Sequence, residues 1–133
     1  SDSAGVLFSK FLNIKTGIIT GENTKIVKSR SNKLKIDFLF QGVKDKLRVA
    51  TDLIKELGLD FSEVAYIGDD IADIPLLKAV KFSACPNNSP DYVKSEVKFI
   101  LKKNGGDGVF REFVELLLTN SGNLKNVING LRN

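Results

Sequence analysis

The sequence predicts a parallel α/β fold, a sheet with helices packed on both faces. Three observations carry this. Short apolar runs that do not alternate, "GIIT", "VAYIG" and "FSAC", recur along the chain, and a strand buried on both faces reads that way. Between them lie amphipathic stretches of helical length. Glycines such as Gly21, Gly42, Gly58 and Gly68 punctuate the joints. Strand, helix and strand in succession require right-handed crossovers, which place the strands parallel.

The elements follow in order. Asp2 to Leu12 fits a helix, with Ser1 or Asp2 as its cap. "TGIIT" (16–20) is a β-branched run ended by Gly21. Thr24 to Leu34 is helical, and "DFLF" (37–40) is a strand stopped by "QG". Lys44 to Leu57 carries an apolar stripe of Leu47, Ala50, Leu53, Ile54 and Leu57, with Gly58 placed to end it. "VAYIG" (64–68) is a strand. Ala72 to Val80 is a helix that tolerates Pro75 only in its first turn. "FSAC" (82–85) is a strand, "PNNSPD" a loop, "VKFIL" (97–101) a strand, "KNGGDG" a tight turn and Val109 to Leu118 a helix. "TNSGNLKNVINGLRN" reads as polar and half helical. The expected division is a core over residues 1–120 and a polar tail over 121–133.

Composition narrows the chemistry. The 133 residues make one domain's worth of chain, and 42% hydrophobic with 27% charged is ordinary for a globular protein. No apolar run approaches the roughly 18 residues of a membrane span, and no basic-then-apolar leader opens the sequence. A single cysteine, Cys85, cannot form an internal disulfide, which fits a reducing, cytoplasmic setting. The sequence contains no histidine. That excludes Ser-His-Asp and Cys-His catalysis and imidazole-built zinc sites. Chemistry is left to carboxylates, lysine, hydroxyls, backbone amides and a metal that accepts oxygen ligands. The net charge is +4, with a dense basic stretch "KIVKSRSNKLK". No aromatic residue is interleaved there for base stacking, so nucleic acid is not the expected partner. Arg30 and Lys33 lie three apart on one helix face and could together receive a carboxylate.

In open parallel sheets, ligands bind beyond the carboxyl ends of the strands. Those ends present Thr20-Gly21-Glu22, then Gln41-Gly42 with Lys44 and Lys46, then Gly68-Asp69-Asp70 with Asp73 close behind. A phosphoryl group needs such a set: hydroxyl and amide donors, an ammonium, and carboxylates to hold Mg²⁺. Each residue also has a plainer use. Thr20 can cap the turn that follows it. Lys46 can be a first-turn lysine, though at the unfavourable positive end of its helix, and Asp70 and Asp73 can be favoured at a helix N-terminus. Asp69 has the weakest structural excuse.

The order "GIITG", "QGVKDKL", "YIGDDIAD" resembles the second, third and fourth motifs of the haloacid dehalogenase superfamily. Its cap-less branch of sugar-acid phosphatases fits best: the 3-deoxy-D-manno-octulosonate 8-phosphate and 2-keto-3-deoxy-nonulosonate 9-phosphate phosphatases. "KKNGGDGVFREFVELLL" matches that branch's glycine-rich C-terminal segment, and "ITGENTKIVKSRSNKL" is closer to the nonulosonate enzymes. The resemblance implies a Rossmann-like parallel sheet and a Mg²⁺-dependent phosphatase. In it Thr20 bonds the phosphoryl oxygen, Lys46 holds the group by charge, Asp69 ligates Mg²⁺ with Asp70 assisting, and Asp73 supports them. Gly21, Glu22, Arg30 and Lys33 face the sugar acid, and Arg111 lies near the site of its own or a neighbouring subunit. A homotetramer covers the site.

The family's first motif, Asp-x-Asp on a central strand between the strands ending at Thr20 and Gly68, is not in this sequence. Its two aspartates are the family's nucleophile and general acid. The expectation is therefore an incomplete core with a hydrophobic gap, and an aspartyl-phosphate nucleophile upstream of this chain. Two alternatives stand beside the enzyme. One is a non-catalytic assembly domain of the kind fused to acylneuraminate cytidylyltransferases. The other is a receiver-like signalling module, which the order of Thr20 and Lys46 ahead of the acidic pair disfavours.

Overall fold

The computed structural model describes residues 13–106, 108–120 and 125–131. The helix expected over residues 2–12 lies outside them. The strands are β1 (Lys15–Ile19), β2 (Phe38–Phe40), β3 (Val64–Ile67), β4 (Phe82–Cys85), β5 (Phe99–Ile100) and β6 (Asn126–Asn129). They form one sheet in the order β2-β1-β6-β3-β4-β5, with every pairing parallel. The helices are α1 (Lys25–Leu34), α2 (Lys46–Glu56), α3 (Ile74–Ala79), α4 (Asp91–Lys94) and α5 (Val109–Asn120).

The sheet is buried on both faces, as its unalternating strands require: all four residues of β3 and of β4 are buried. On one face Ala65, Ile67, Ala84 and Val127 pack with Phe110, Phe113 and Leu117 of α5. On the other, Ile19, Val64, Tyr66, Cys85 and Ile128 pack with Ala50 and Ile54 of α2 and Leu76 and Leu77 of α3.

Local chemistry moves several boundaries. Thr24 caps α1 by accepting from the Val27 amide at 3.2 Å. α2 begins two residues later than the apolar stripe suggested, because the Asp45 carboxylate accepts from the Arg48 amide at 3.1 Å and so occupies the cap. Gly58 follows the end of α2 with φ +70°, the left-handed conformation a terminating glycine supplies. Ahead of Pro75 the chain winds as a 3₁₀ turn over Ile71–Asp73, and α3 proper starts at Ile74. β5 keeps two of its five expected residues. α4 starts at Asp91, the last residue of the expected loop, and runs on through a stretch without an expected element.

The largest difference is β6. The gap expected between β1 and β3 is filled by the chain's own C-terminal segment, where a polar, half-helical stretch is expected. Asn126–Asn129 pairs with Lys15–Ile18 on one side and with Val64–Ile67 on the other. The physical reason is the β-branched pair at its centre. Val127 enters one core and Ile128 the other, and both are fully buried.

Candidate active site

Because all strands are parallel, the ends of β1, β2, β3 and β6 share one edge of the sheet. Asp73 is the pivot of that edge. Its side chain is fully buried, and the structure supplies donors to both carboxylate oxygens. Oδ2 accepts from the Asp69 and Asp70 amides, each at 3.0 Å. Oδ1 accepts from the Lys46 ammonium at 2.8 Å and from the Tyr66 hydroxyl. Gly68 makes this possible, since a Cβ there would stand 2.7 Å from the Asp73 Cβ and Cγ.

Lys46, the first residue of α2, is also buried, at 6% exposure. Its unfavourable place at a helix N-terminus is thus offset by a buried ion pair with Asp73. The bond uses one of three ammonium donors. Tyr66 was not singled out by sequence reasoning. The only signal is a phenol inside the apolar run "VAYIG", and a buried phenol needs a partner. Burial first, and then the Asp73 carboxylate, push its pKa well above the ordinary value of 10.0, so the hydroxyl stays a neutral donor.

The other predicted residues fall as follows. Thr20 is buried at the end of β1, and its Oγ1 accepts from the Glu22 amide at 3.1 Å. The turn-capping use is therefore real, and the hydroxyl proton can still be donated elsewhere. Gly21 is exposed and Glu22 half-buried on the same turn. Asp69 and Asp70 are half-buried on the loop that Asp73 ties down. Asp70 also caps the 3₁₀ turn, accepting from the Ile71 amide at 2.7 Å. The glycine-rich loop approaches Asp69: a Cβ on Gly105 would stand 3.9 Å from its Oδ2. Arg30 lines a cavity of about 50 Å³ with Ile18, Gly106, Phe110 and Asn129, whereas exposed Lys33 does not line it. Arg111 is on the surface of α5, where its Nε pairs with Glu115 at 3.0 Å.

The donor set suits a small hard cation. Among the described residues no group of three or more His, Cys, Asp or Glu is placed to hold a metal, so an all-protein cage is not on offer there. Mg²⁺ does not need one, since it takes one or two carboxylates and completes its shell with water and phosphate oxygens. Asp69 and Asp70 fit that use. At the end of β6 stand Asn129, Gly130 and Leu131, which supply no carboxylate.

The sheet carries a hydroxyl, a buried lysine and an acidic loop at one edge, and the chain belongs to the haloacid dehalogenase-like hydrolases, whose family model matches residues 9–113. It is 32% identical over 121 residues to the 3-deoxy-D-manno-octulosonate 8-phosphate phosphatase of Haemophilus influenzae, covering 91% of this chain and 67% of that protein. The cobalt-bound structure of the deoxy-D-mannose-octulosonate 8-phosphate phosphatase from H. influenzae superposes with a TM-score of 0.84 at 32% identity, covering 89% of this chain and 69% of that one. The Moraxella catarrhalis 3-deoxy-D-manno-octulosonate 8-phosphate phosphatase, crystallised with magnesium, phosphate and KDO, does so at 0.85 and 35% identity, covering 89% and 68%. The chain spans 65–67% of the length of the curated relatives it matches.

Proposed function

We propose that this chain is the phosphoryl-binding part of a Mg²⁺-dependent phosphatase acting on a keto-deoxy sugar-acid phosphate. The named relatives favour 3-deoxy-D-manno-octulosonate 8-phosphate over the nonulosonate 9-phosphate as substrate. The observation that carries the reading is the buried Lys46–Asp73 pair bracing the Asp69–Asp70 loop.

In this reading Lys46 spends one ammonium proton on Asp73 and offers the others to phosphoryl oxygens. Thr20 accepts from the Glu22 amide and donates its own proton to the phosphoryl group. Mg²⁺, held by Asp69 with Asp70 assisting, would neutralise charge on the phosphate oxygens. Arg30 and Lys33 would receive the sugar acid's carboxylate. The attacking carboxylate would come from an Asp-x-Asp strand upstream of this chain, seated between β1 and β3 where β6 lies here. Arg111, on the outer face of α5, would reach a site only on a neighbouring copy. A homotetramer would cover the site, and Ile26 at 77% and Ile71 at 66% exposure are aliphatic side chains free to meet a neighbouring copy there.

The test is phosphate release from 3-deoxy-D-manno-octulosonate 8-phosphate, with and without Mg²⁺, by the chain extended N-terminally to include the expected Asp-x-Asp strand. The reading expects Mg²⁺-dependent release that Asp69→Ala abolishes, a loss of at least about 10³-fold. Activity persisting in Asp69→Ala sinks the metal-ligand assignment. An extended protein that folds with the Asp-x-Asp strand in place and still releases no phosphate supports the non-catalytic assembly domain instead.

A further inference from the structure

We propose that Tyr66 is a positioning residue of this site, its hydroxyl fixing Asp73 and, through Asp73, both the Lys46 ammonium and the Asp69–Asp70 loop. Among the described residues Asp73 touches all of them, and Tyr66 is its fourth donor beside Lys46 and the two loop amides.

The space around that bond is built for it. Tyr66 lies on β3 and reaches Asp73 across the end of the neighbouring β6, where residue 130 is glycine. A Cβ on Gly130 would collide with the Tyr66 hydroxyl, stand 2.5 Å from its Cζ and 2.8 Å from Asp73 Oδ1. Gly68 clears the opposite side, where a Cβ would stand 2.8 Å from Asp73 Oδ2. Two side-chain-free positions on adjacent strands thus form the slot that holds the phenol against the carboxylate. The Gly130 amide, donating to the Ile67 carbonyl at 2.8 Å, keeps the end of β6 closed over it.

The bond also has an electrostatic role. Lys46 and the tyrosine share Oδ1, so the phenol takes up part of the charge that would otherwise hold the ammonium. Lys46 is thereby kept in place while retaining charge for an anion. A tyrosine serving only as core filling would need no hydroxyl at this spot.

The consequence for turnover rests on the phosphatase reading, so the test uses a signal that needs no turnover. In Tyr66→Phe the ring and its packing stay and only the hydroxyl goes. Amide hydrogen exchange is then followed residue by residue by NMR. The expected result is exchange of the Asp69 and Asp70 amides accelerated about tenfold or more, with the amides of Val64 in β3 and Ala84 in β4 unchanged. Unchanged Asp69 and Asp70 rates overturn the proposal. So does a uniform acceleration of all core amides, which would mark Tyr66 as packing alone. Local acceleration in this chain, together with no phosphatase activity in the chain extended by the Asp-x-Asp strand, overturns the function and leaves the positioning role standing.

Discussion

Lys46 and Arg111 are both cations near carboxylates, and the structure assigns them very different weights. The Arg111–Glu115 pair is exposed on one helix face, 45% and 52%, and such i,i+4 pairs contribute about 0.3–0.5 kcal/mol. Arg111→Ala should shift the urea midpoint of the isolated chain barely at all. The Lys46–Asp73 pair is buried at both ends. Removing the lysine strands a buried carboxylate, which typically costs about 3–5 kcal/mol. Three other donors remain on Asp73, so Lys46→Met should lose about 3 kcal/mol, read from urea unfolding. A loss under about 1 kcal/mol would mean that the ammonium is not the main partner of Asp73. Thr20, Lys46 and the aspartates were visible in the sequence because they follow strands at one sheet edge. Their pairing was not visible. It depends on α2 and α3 packing side by side, which no local pattern encodes.

At the scale of elements, β3 and β6 mark the two ends of what periodicity reveals. "VAYIG" is an unbroken apolar run closed by glycine, and it is a strand wherever the sheet places it. "NVIN" holds only two apolar residues between asparagines, and its strand state comes from the neighbours it joins rather than from its own propensity. β6 also carries a mismatch. Asn126 is fully buried, and among the described residues neither of its side-chain amide atoms has a hydrogen-bond partner. A buried unsatisfied polar group costs about 1–3 kcal/mol. Asn126→Val, of similar volume and better suited to a strand, should therefore stabilise the protein by about 1 kcal/mol, read as a higher thermal midpoint. Ile128→Ala, which opens a cavity between β6 and the helices α2 and α3, should destabilise it by about 2–4 kcal/mol. A fall in the midpoint for Asn126→Val, or no change for Ile128→Ala, would count against β6 being seated between β1 and β3.

For the molecule as a whole, two buried acids set an upper limit in pH. Burial pushes up both the Tyr66 hydroxyl and the Cys85 thiol from their ordinary values of 10.0 and 9.0. The native state keeps these protons while the unfolded chain gives them up, so the unfolded state binds fewer protons at high pH. Their stability contribution is fully present below about pH 9. It declines as pH rises through 9 and 10, by up to about 1.4 kcal/mol per unit for each group. Urea midpoints at pH 7.5 and 10.5 should show this fall, and equal midpoints would contradict it.

In the proposed phosphatase, the ends of β1 and β3 and the start of α2 would together form one phosphoryl and Mg²⁺ site. Amide chemical-shift mapping with Mg²⁺ and inorganic phosphate tests it directly. The largest shifts are expected on Thr20–Glu22, Lys46 and Gly68–Asp70, and Asp69→Ala should remove the Mg²⁺-dependent part. Shifts centred on the outer face of α5 around Arg111 and Glu115, or no saturable shifts at that edge, would contradict it.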